Sequence, residues 1–452
     1  MYNICSWKDV LMDIMIAGAG TVGYGLAQTL SFKHNVIVID KDSTKLNKID
    51  EDIDIMTLHG DIEDPHTYQS LHFDSVDLFI AVTDSDEANL LSTLIVEDVV
   101  DVKRKIIRLK NDGFLKSHVL EKLAIEYAVF PDLTTANKVK ALFTFPKANN
   151  VKMFHQTKHK LISIRVQYDN EVLYSVGEFI NENVSIVGIE REKSFFVPTE
   201  DESIHKEDLV YLFGHIEAIE KISSKLDEKM PSVIKKIVIF GANTLAQKIA
   251  KALLDKKLDI KMIEKDIGHC RRASELLQGK VSIINSSHED QRLFEEEGLK
   301  NADMIIAAEH DDEKNIIKCI EAKEYGIQKV VAVNNDKAYY NLMHMMGVVV
   351  VRGSKAGAHY AILEKISSSS IVTQRHFCGG SGVLFMRKIY PDSELIGKSV
   401  KPAKYGSVTV LLLREEKLYD LSQIGSLEQG DILVIFGEIE KKEEIEQWIY
   451  TL

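Results

Sequence analysis

The sequence Asp13-Ile-Met-Ile-Ala-Gly18-Ala-Gly20-Thr-Val-Gly23 places a short apolar run directly before a Gly-x-Gly-x-x-Gly turn. Apolar residues at helical spacing follow (Leu26, Ala27 and Leu30), and the next apolar run, Val36-Ile-Val-Ile-Asp40, ends in an acid. This order of strand, glycine turn, helix and second strand predicts the start of a nucleotide-binding β-α-β unit.

Each part of this stretch has a physical role in such a unit. Gly18 permits the tight turn, Gly20 lets the backbone approach a pyrophosphate, and Gly23 lets the helix pack closely on the strand. Free amides at a helix N-terminus attract phosphates, and Asp40 follows at the right separation to accept hydrogen bonds from ribose hydroxyls. We therefore predict a dinucleotide site here, the alternative being a tight β-α turn that binds nothing.

Composition and charge exclude several classes of protein. The chain has 452 residues, of which 45% are apolar and 28% charged, enough for about two to four globular domains. The net charge of −13 argues against a nucleic-acid partner, because phosphate binding requires a basic face. No apolar run approaches the roughly 18 residues that span a bilayer. Cys5, Cys270, Cys319 and Cys378 are scattered, so we expect free thiols in the cytoplasm.

The chain repeats itself at an offset of about 223 residues. The opening strand and turn recur as Lys236-Ile-Val-Ile-Phe-Gly241-Ala-Asn243-Thr-Leu-Ala246, and residues 78–89 match residues 304–315. Residues 105–112 likewise match residues 329–336. Several matching blocks in the same order indicate an internal duplication.

Within each half, apolar runs alternate with helical patterns, which predicts an α/β fold with a Rossmann-like, doubly wound parallel sheet. In the first half these runs give about six strands, at residues 14–17, 36–39, 55–58, 78–82, 106–109 and around 123–130.

A β-rich segment follows each of these folds and predicts a small α+β domain. In the first half, Ile162, Ile164 and Val166 alternate toward a core, and Ile216, Ile219 and Ile222 have the spacing of a short amphipathic helix. We predict an N-terminal extension (1–12), a first Rossmann-like domain (13–150), a first small domain (151–228), a second Rossmann-like domain (233–370) and a second small domain (371–452).

The candidate binding residues of the first half lie where parallel strands end, because ligands of such sheets bind across the carboxyl ends of the strands. Thr83 and Asp84 end one strand and could equally cap the helix that follows. Arg108 ends an apolar strand, where a charge needs a partner. We expect a bound phosphate there, with Asp61 or Asp84 as the alternative. The predicted site comprises Gly18, Ala19, Gly20, Thr21, Val22, Gly23, Asp40, Asp61, Thr83, Asp84 and Arg108.

The second half has lost much of this pattern, although Glu264 retains the acid that ends the second strand. An asparagine at the second glycine position would crowd a pyrophosphate, so we expect weak or altered binding through Gly241, Asn243 and Glu264. The remaining changes, aligned by sequence, replace Gly23 by Ala246, Gly60-Asp61 by Asn285-Ser286, Thr83 by Glu309 and Arg108 by Ala332.

No catalytic constellation accompanies the predicted site. Hydride transfer usually needs an acid or base within hydrogen-bond reach of the substrate. His155, His159 and His205 are candidates only by residue type, and we expect them on the solvated surface. No spacing suggests a metal site. We therefore predict neither catalytic residues nor metal ligands.

With the repeat and these motifs, the chain resembles the family of potassium-uptake regulators built from tandem regulator-of-K⁺-conductance (RCK, or KTN) domains. The resemblance covers about residues 13–452, and Ala81-Val-Thr83-Asp-Ser-Asp-Glu87-Ala-Asn89 is close to that family's characteristic segment. It implies that NAD(H), and in some relatives ATP or ADP, binds at Gly18–Val22, Asp40, Thr83, Asp84 and Arg108.

The resemblance also implies a regulatory subunit rather than an enzyme. Such proteins form a ring, here a homotetramer, on the cytoplasmic, inner face of the cell membrane. Their partner is a membrane K⁺ channel-like subunit of the TrkH or TrkG type. The usual beginning falls about twelve residues into the chain, so Met1 and Met12 are both candidate starts. The alternatives are an NAD-dependent oxidoreductase with a small lid domain and a scaffold whose nucleotide never exchanges.

Overall fold

The structure, a computed structural model, describes residues 11–71, 73–168, 174–231, 233–254, 257–287, 292–367, 372–400 and 407–452. Residues 1–10 of the predicted extension and the predicted boundary at residues 370–371 lie outside this range. The chain forms two compact units, one of Met1–Asn137 with Arg352–Ile366 and one of Lys138–Val351 with Ser367–Leu452. Among the described residues, no helix has the length and apolar character that crossing a bilayer requires.

The first half of the chain alternates strands and helices and then becomes β-rich. Its α/β part contains β1 (Asp13–Ala17), α1 (Thr21–Leu30), β2 (Asn35–Asp40), α2 (Ser43–Asp52), β3 (Met56–His59), α3 (Pro65–Gln69), β4 (Ser75–Val76), β5 (Leu78–Ala81), α4 (Asp86–Val99), β6 (Asp101–Val102), β7 (Lys105–Arg108), α5 (Val119–Lys122), β8 (Tyr127–Val129) and α6 (Pro131–Thr144). Its β-rich part contains β9 (Ala148–Met153), β10 (Lys160–Arg165), β11 (Tyr174–Ser175), β12 (Val184–Arg191), β13 (Ser194–Phe196), β14 (Ser203–Ile204), β15 (Leu209–Gly214) and α7 (Ile216–Leu226).

The second half repeats this succession. Its α/β part contains β16 (Lys236–Phe240), α8 (Thr244–Leu253), β17 (Asp259–Glu264), α9 (Ile267–Leu277), β18 (Ser282–Asn285), α10 (Leu293–Glu296), β19 (Met304–Ala307), α11 (Asp312–Glu324), β20 (Lys329–Asn334), α12 (Tyr340–Met345), β21 (Val349–Arg352) and α13 (Ser354–Ser367). Its β-rich part contains β22 (Val372–Phe377), β23 (Gly382–Lys388), β24 (Val408–Arg414), β25 (Lys417–Asp420), β26 (Ile432–Glu438) and α14 (Lys442–Thr451).

The first unit is built on a parallel six-stranded sheet with the order β3-β2-β1-β5-β7-β8. This is the strand order of dinucleotide-binding folds, with the switch point between β1 and β5. Its central strands are buried on both faces, as parallel sheets require, because helices cover both sides. The predicted Rossmann-like α/β class is confirmed.

Helix α13 belongs to the first unit although it lies late in the sequence. Its Ala358 and Ile362 are buried in the same cluster as Ile14 and Leu26 of the first sheet and helix. The Ser354 hydroxyl at its start donates a hydrogen bond to Asp132. The predicted range 233–370 therefore contains a helix that packs on the first sheet, a long-range contact that sequence periodicity does not reveal. The domain ranges remain predictions.

The second unit contains the second Rossmann-like sheet, in the equivalent order β18-β17-β16-β19-β20-β21, and both small lobes. Each small lobe has a five-stranded antiparallel sheet, and the two orders, β13-β12-β15-β10-β9 and β25-β24-β26-β23-β22, correspond strand by strand. The two sheets share one core, in which the rings of Phe213 and Phe436 lie 5.2 Å apart. The duplication thus brings two copies of the small lobe face to face.

One expectation about the small lobes is wrong. His159 does not lie on the solvated surface: its side chain is fully buried, and Nδ1 lies 3.1 Å from a carboxylate oxygen of Glu416 in the second small lobe. Burial lowers the pKa of His159, although the hydrogen bond and charge of Glu416 act in the opposite direction. His155 and His205 are exposed as expected.

In each small lobe, a buried aspartate forms a bidentate ion pair with an arginine at the equivalent position. Asp208 accepts hydrogen bonds from Nε and Nη2 of Arg191, and Asp431 accepts the equivalent pair from Arg414 at 2.9 and 2.7 Å. Both acids are 1% exposed. Such a bidentate pair fixes the turn that precedes the last strand of each lobe.

We predict that Asp431→Ala lowers the free energy of unfolding of the second unit by about 2–3 kcal/mol, because it leaves Arg414 without its buried counter-charge. The control is Lys417→Ala, which breaks the exposed pair with Glu182 and should cost less than about 1 kcal/mol. Urea denaturation of both variants measures the difference. Equal losses would show that burial of the carboxylate contributes nothing.

A second buried charge lies in β20. Lys329 is fully buried, its Nζ donates to the carbonyl of Ala148, and desolvation lowers its pKa from 10.5 to about 7, against the opposing charge of Asp227. Between pH 7 and pH 10.5, folding therefore releases a proton from Lys329. The fold is consequently less stable at the lower end of this range than at the upper end.

We predict that the free energy of unfolding rises between pH 7 and pH 9 with a Lys329 contribution of up to about 1.4 kcal/mol per pH unit. Lys329→Met should remove this contribution, because methionine fills similar space without a charge. Denaturant unfolding at pH 7, 8 and 9 of the unsubstituted protein, Lys329→Met and the exposed control Lys236→Met tests it. Parallel pH profiles for all three proteins would refute the assignment.

Candidate functional site

The glycine turn of the first unit forms an open cradle at the start of α1. Gly18 has φ +112°, a left-handed conformation that favours glycine, and its amide donates to the carbonyl of Ile39. Gly20 is the N-cap and offers no side chain to the first-turn amides. A Cβ built on Gly20 meets no atom within 4 Å. The first turn of α1 therefore faces open space, as anion binding by its amides requires.

Gly23 allows α1 to pack closely against the glycine turn and is not part of the open cradle. A Cβ on Gly23 would lie 1.8 Å from the carbonyl oxygen of Gly18, so helix and turn approach more closely than a side chain allows. Gly23 is also absent from the lining of the adjacent cavity.

Asp40 connects the second strand to the glycine turn. Its Oδ2 accepts the amide of Ala19 at 2.7 Å, and its Oδ1 accepts the amide of Asp42 at 2.9 Å. Each carboxylate oxygen can accept a second hydrogen bond. The acid therefore has capacity left for hydroxyl donors while it holds the turn in place.

Arg108 lies at the end of β7 and is 7% exposed. Its Nη1 donates to Asp84 Oδ1 at 2.9 Å and to the carbonyl of Thr83 at 3.2 Å. Its buried Nε has no hydrogen-bond partner among the described residues. Of the two acids named as alternative partners, the structure brings Asp84, not Asp61, to the guanidinium, and one buried donor stays unused.

Asp84 is exposed, with 81% of its side chain accessible, and it faces several cations. Desolvation acts to raise its pKa, but the hydrogen bond and charge of Arg108, with the charges of Lys110 and Lys355, outweigh it and lower the pKa. The carboxylate is therefore ionised at neutral pH.

Capping of α4 falls to Ser85, whose hydroxyl accepts the amide of Ala88. The predicted alternative, in which Thr83 or Asp84 caps α4, is therefore wrong. Thr83 Oγ1 instead donates to Asn89 at 2.7 Å, and Asn89 in turn donates to the carbonyl of Arg108. This buried network fixes the ends of β5 and β7 relative to each other.

These residues surround one cavity of about 880 Å³. That volume is in the range of pockets that enclose a small ligand or cofactor. Ten of the eleven predicted first-half residues line it: Gly18, Ala19, Gly20, Thr21, Val22, Asp40, Asp61, Thr83, Asp84 and Arg108.

Sequence reasoning missed a set of basic residues on the same wall. Lys41 follows Asp40 directly, and Lys45 and Lys48 lie on α2, so the three lysines have a spacing that the sequence does contain. Lys355 also lines the cavity, from the first turn of α13. No local pattern connects Lys355 to this site, because its place depends on the packing of α13 against the first sheet. The other polar residues missed are Tyr24, Glu63 and Ser85, and the apolar ones are Ile39, Ile62, Val82 and Ala88.

The equivalent position in the second half is occupied by a side chain. Asn243 caps α8, with its Oδ1 accepting the amide of Ala246 at 3.0 Å and its Nδ2 donating to Ala308 at 2.7 Å. Glu264 repeats the role of Asp40 by accepting the amide of Ala242. Burial, and then the charge of Glu264, raises the pKa of the nearby Glu309. The helix start that Gly20 leaves open is therefore satisfied internally in the second half.

The structure corrects the alignment of the two halves by one residue at two strands. Asn89 donates to Arg108, whereas Asn315 donates to Val333, so Val333 rather than Ala332 is the equivalent of Arg108. By the same reasoning, the amides of Gly60 and Ser286 donate to the carbonyls of Asp40 and Glu264 respectively, so Gly60-Asp61 corresponds to residues 286–287. The loss of the arginine in the second half is unaffected.

Known proteins similar to this chain share its whole length. A potassium uptake protein of the Trk system, a TrkA homolog from Archaeoglobus fulgidus, is 27% identical over 445 residues, covering 96% of this chain and 100% of that protein. TrkA from Halomonas elongata is 24% identical, covering 94% and 95% of the two chains.

Solved structures share its fold. The crystal structure of the GsuK RCK domain has a TM-score of 0.61 at 16% identity and covers 98% of this chain and 96% of that chain. The GsuK channel bound to NAD has a TM-score of 0.62, covering 98% and 80%. At this identity the likeness concerns the fold alone.

A family model described as the TrkA-N domain matches residues 14–131 and 237–352, which together make up more than half of the chain. The two matches coincide with the two Rossmann-like sheets, so the duplication and the family resemblance seen in the sequence are confirmed. The chain therefore belongs to the TrkA-N domain family.

Proposed function

We propose that this chain is a nucleotide-binding regulatory subunit of a membrane potassium-uptake system, with its working site in the first Rossmann-like lobe. The observation that carries the proposal is the contrast between the two lobes. The first has an open helix start beside a large cavity, and the second has the same start capped by Asn243. An uncapped helix N-terminus in a polar cavity is suited to phosphate groups.

The residues of the first site suit an adenine nucleotide, NAD(H) or ATP and ADP. Asp40 would accept hydrogen bonds from ribose hydroxyls, and the amides after Gly20 would hold phosphate oxygens. An acid at this place disfavours a phosphorylated ribose, because two negative charges would meet. Arg108 lines the same cavity and would bring its positive charge to the part of the ligand beyond the first phosphates. The GsuK channel has been solved bound to NAD and bound to ADP, which supports this choice.

The cavity supports binding better than catalysis. Tyr24 is an acid-base candidate by residue type. Its hydroxyl donates a hydrogen bond to Asp52 at 2.7 Å, and this bond is the largest of the effects that raise the pKa of Tyr24. A general base at neutral pH needs its pKa moved the other way. Relatives over the whole chain are named potassium uptake proteins. We therefore infer a regulator rather than an oxidoreductase.

Regulation follows from differential binding. A nucleotide shifts an equilibrium between two arrangements of a ring of subunits only by its difference in affinity for them. Ligands of different charge, such as NADH and NAD⁺ or ATP and ADP, would then bias the ring differently. We infer a homotetrameric ring on the cytoplasmic face of the membrane that transmits this bias to a channel-like K⁺ subunit.

We predict that the purified protein binds at least one of NADH, NAD⁺, ATP and ADP with micromolar affinity and about one nucleotide per chain. Asp40→Ala should weaken this binding at least about tenfold, because it removes the ribose acceptor and the support of the turn. Isothermal titration calorimetry measures both affinity and stoichiometry.

Glu264→Ala is the matched control, since it removes the equivalent acceptor of the second turn. It should leave affinity and stoichiometry unchanged. Loss of binding in Glu264→Ala but not in Asp40→Ala would place the working site in the other half. Two nucleotides per chain would show that Asn243 does not exclude a ligand, and no binding would remove the proposal.

We further predict that Gly20→Val abolishes nucleotide control of K⁺ flux. Its side chain would enter the open space in front of α1 and displace phosphate groups. K⁺ flux through the reconstituted partner is measured with and without nucleotide. The control is Gly425→Val, which also adds a side chain in open space but lies far along the chain from the site. Unchanged nucleotide control in Gly20→Val would contradict the sensor mechanism.

A further inference from the structure

His159 and Glu416 form a contact between the two small lobes that the duplication does not repeat. His159 directly precedes β10 of the first lobe, and Glu416 lies in the two-residue turn between β24 and β25 of the second. Strand pairing makes Gly382 the equivalent of His159, and Lys193 takes the place of Glu416 in the first lobe. Glycine and lysine cannot form this pair, so the contact is not a consequence of the repeated fold.

The turn that carries Glu416 is held against the first lobe. The carboxylate oxygen Oε2 lies 3.1 Å from His159 Nδ1 and accepts hydrogen bonds from the Thr157 hydroxyl at 3.2 Å and the Lys158 amide at 3.3 Å. Glu415 and Glu416 have φ +50° and +61°. A turn of this length needs positive φ at both residues, which favours glycine. The chain thus adopts an unfavourable backbone conformation here and presents a carboxylate to the imidazole.

The other side of the imidazole has no acceptor for a second proton. His159 is 0% exposed, and its Nε2 has no hydrogen-bond partner within the described part of the chain. The ring packs beside that of Phe213, with the two centroids 5.5 Å apart. Because the carboxylate of Glu416 accepts from Nδ1, the neutral ring carries its proton there and leaves Nε2 unprotonated. A second proton would create a buried N–H group without an acceptor, which is unfavourable.

The ionisable groups that face the ring act in opposite directions. Glu416 favours the protonated ring through its hydrogen bond and charge, whereas the charges of His215 and Lys160 disfavour it. The Glu416 side chain is 42% exposed, so water screens its attraction. Burial is the largest effect, and it lowers the pKa of His159 below the ordinary value. The charged residues that flank these groups in the sequence are Lys158, Glu415 and Lys417.

We propose that His159 and Glu416 form a pH-sensitive contact between the two small lobes, closed while the imidazole is neutral and released when it takes up a second proton. Release lets the new Nε2–H group reach water. The proton is then a ligand that favours the open arrangement because it binds that arrangement more tightly. This inference does not rest on the nucleotide site.

The direction of the pH effect follows from the lowered pKa of His159. Well above the ordinary histidine pKa of about 6.5, the ring is neutral in both arrangements and the contact is at full strength. Below about pH 6.5, the open arrangement takes up a proton that the closed one does not. Acid therefore favours opening, by at most about tenfold per pH unit for one proton.

The amide of Leu418 reports the contact between the lobes, because it donates to the carbonyl of Glu182 in the first lobe at 2.7 Å. Hydrogen exchange of the full chain, followed by mass spectrometry and corrected for the intrinsic rate at each pH, gives its protection factor. We expect this factor to fall severalfold, and by no more than about tenfold, between about pH 7.5 and pH 5.5. The amide of Ile389, bonded to the carbonyl of Asp431 within the second lobe at 2.8 Å, is the internal reference.

His159→Gln should remove most of the pH dependence at Leu418, because glutamine keeps a donor for Glu416 but takes up no proton. His205→Gln replaces an exposed histidine of the same lobe and is the matched control, which should keep the profile of the unsubstituted protein. Glu416→Gln should show a fall at least as large, since it removes the charge that favours the protonated ring in the closed arrangement.

Four results would overturn the inference. A flat profile at Leu418 in the unsubstituted protein would do so whichever variants fold. An unchanged pH dependence in His159→Gln would show that another group takes up the proton, and its loss in Glu416→Gln would identify the carboxylate as that group. An equal change of profile at Ile389 and Leu418 in His159→Gln would show a general loss of stability. None of these results bears on nucleotide binding, which calorimetry tests separately.

Discussion

The hydrogen bond from the Ala19 amide to the Asp40 carboxylate, 2.7 Å long, fixes the geometry on which the first site depends. It joins the turn after β1 to the end of β2, so the helix start and the acid cannot move independently. The second half keeps this bond as Ala242 to Glu264 at 2.8 Å even though its cradle is filled. An interaction that persists where the open helix start has been lost must first serve the fold. In the first half the residue after Ala19 is Gly20, which has no side chain, and the space in front of α1 therefore stays open.

The two halves therefore have the same backbone fold at the helix start but treat the free amides of the first helical turn differently. A helix start needs acceptors for its free amides. Asn243 supplies one from its own side chain, which stabilises the turn by about 1 kcal/mol and closes the space in front of it. Gly20 supplies none, which costs the first turn only about a few tenths of a kcal/mol relative to asparagine, and its amides remain available. The duplication thus places an open helix start in one half and a capped one in the other, and the difference between Gly20 and Asn243 accounts for that contrast.

Much of this could be predicted from the sequence because the decisive signals are local. The glycine turn, the acid at the end of β2 and the alternation of strands and helices each depend on residues less than about thirty positions apart, and the α/β fold and the family follow from them. The one-residue errors at Arg108 and Gly60 arose because similar strand sequences align equally well in two registers. The hydrogen bonds of Asn89 and Asn315 decide the register at Arg108, and the amides of Gly60 and Ser286 decide it at Gly60. The burial of His159 and the position of Lys355 depend on packing between segments more than 250 residues apart, which no local period encodes.

The packing of α13 gives the second half a structural role in the first unit, whatever its own cradle holds. Ala358 and Ile362 complete the core of the first sheet, and burying an aliphatic side chain such as that of Ile362 contributes about 1.5–3 kcal/mol. Without the second half, this face of the first sheet would be open to water, and the cavity would lose the wall that carries Lys355. The first cavity is consequently a property of the whole first unit, including Arg352–Ile366, rather than of the first 137 residues alone. Helix α13 belongs by sequence to the second half and by packing to the first unit.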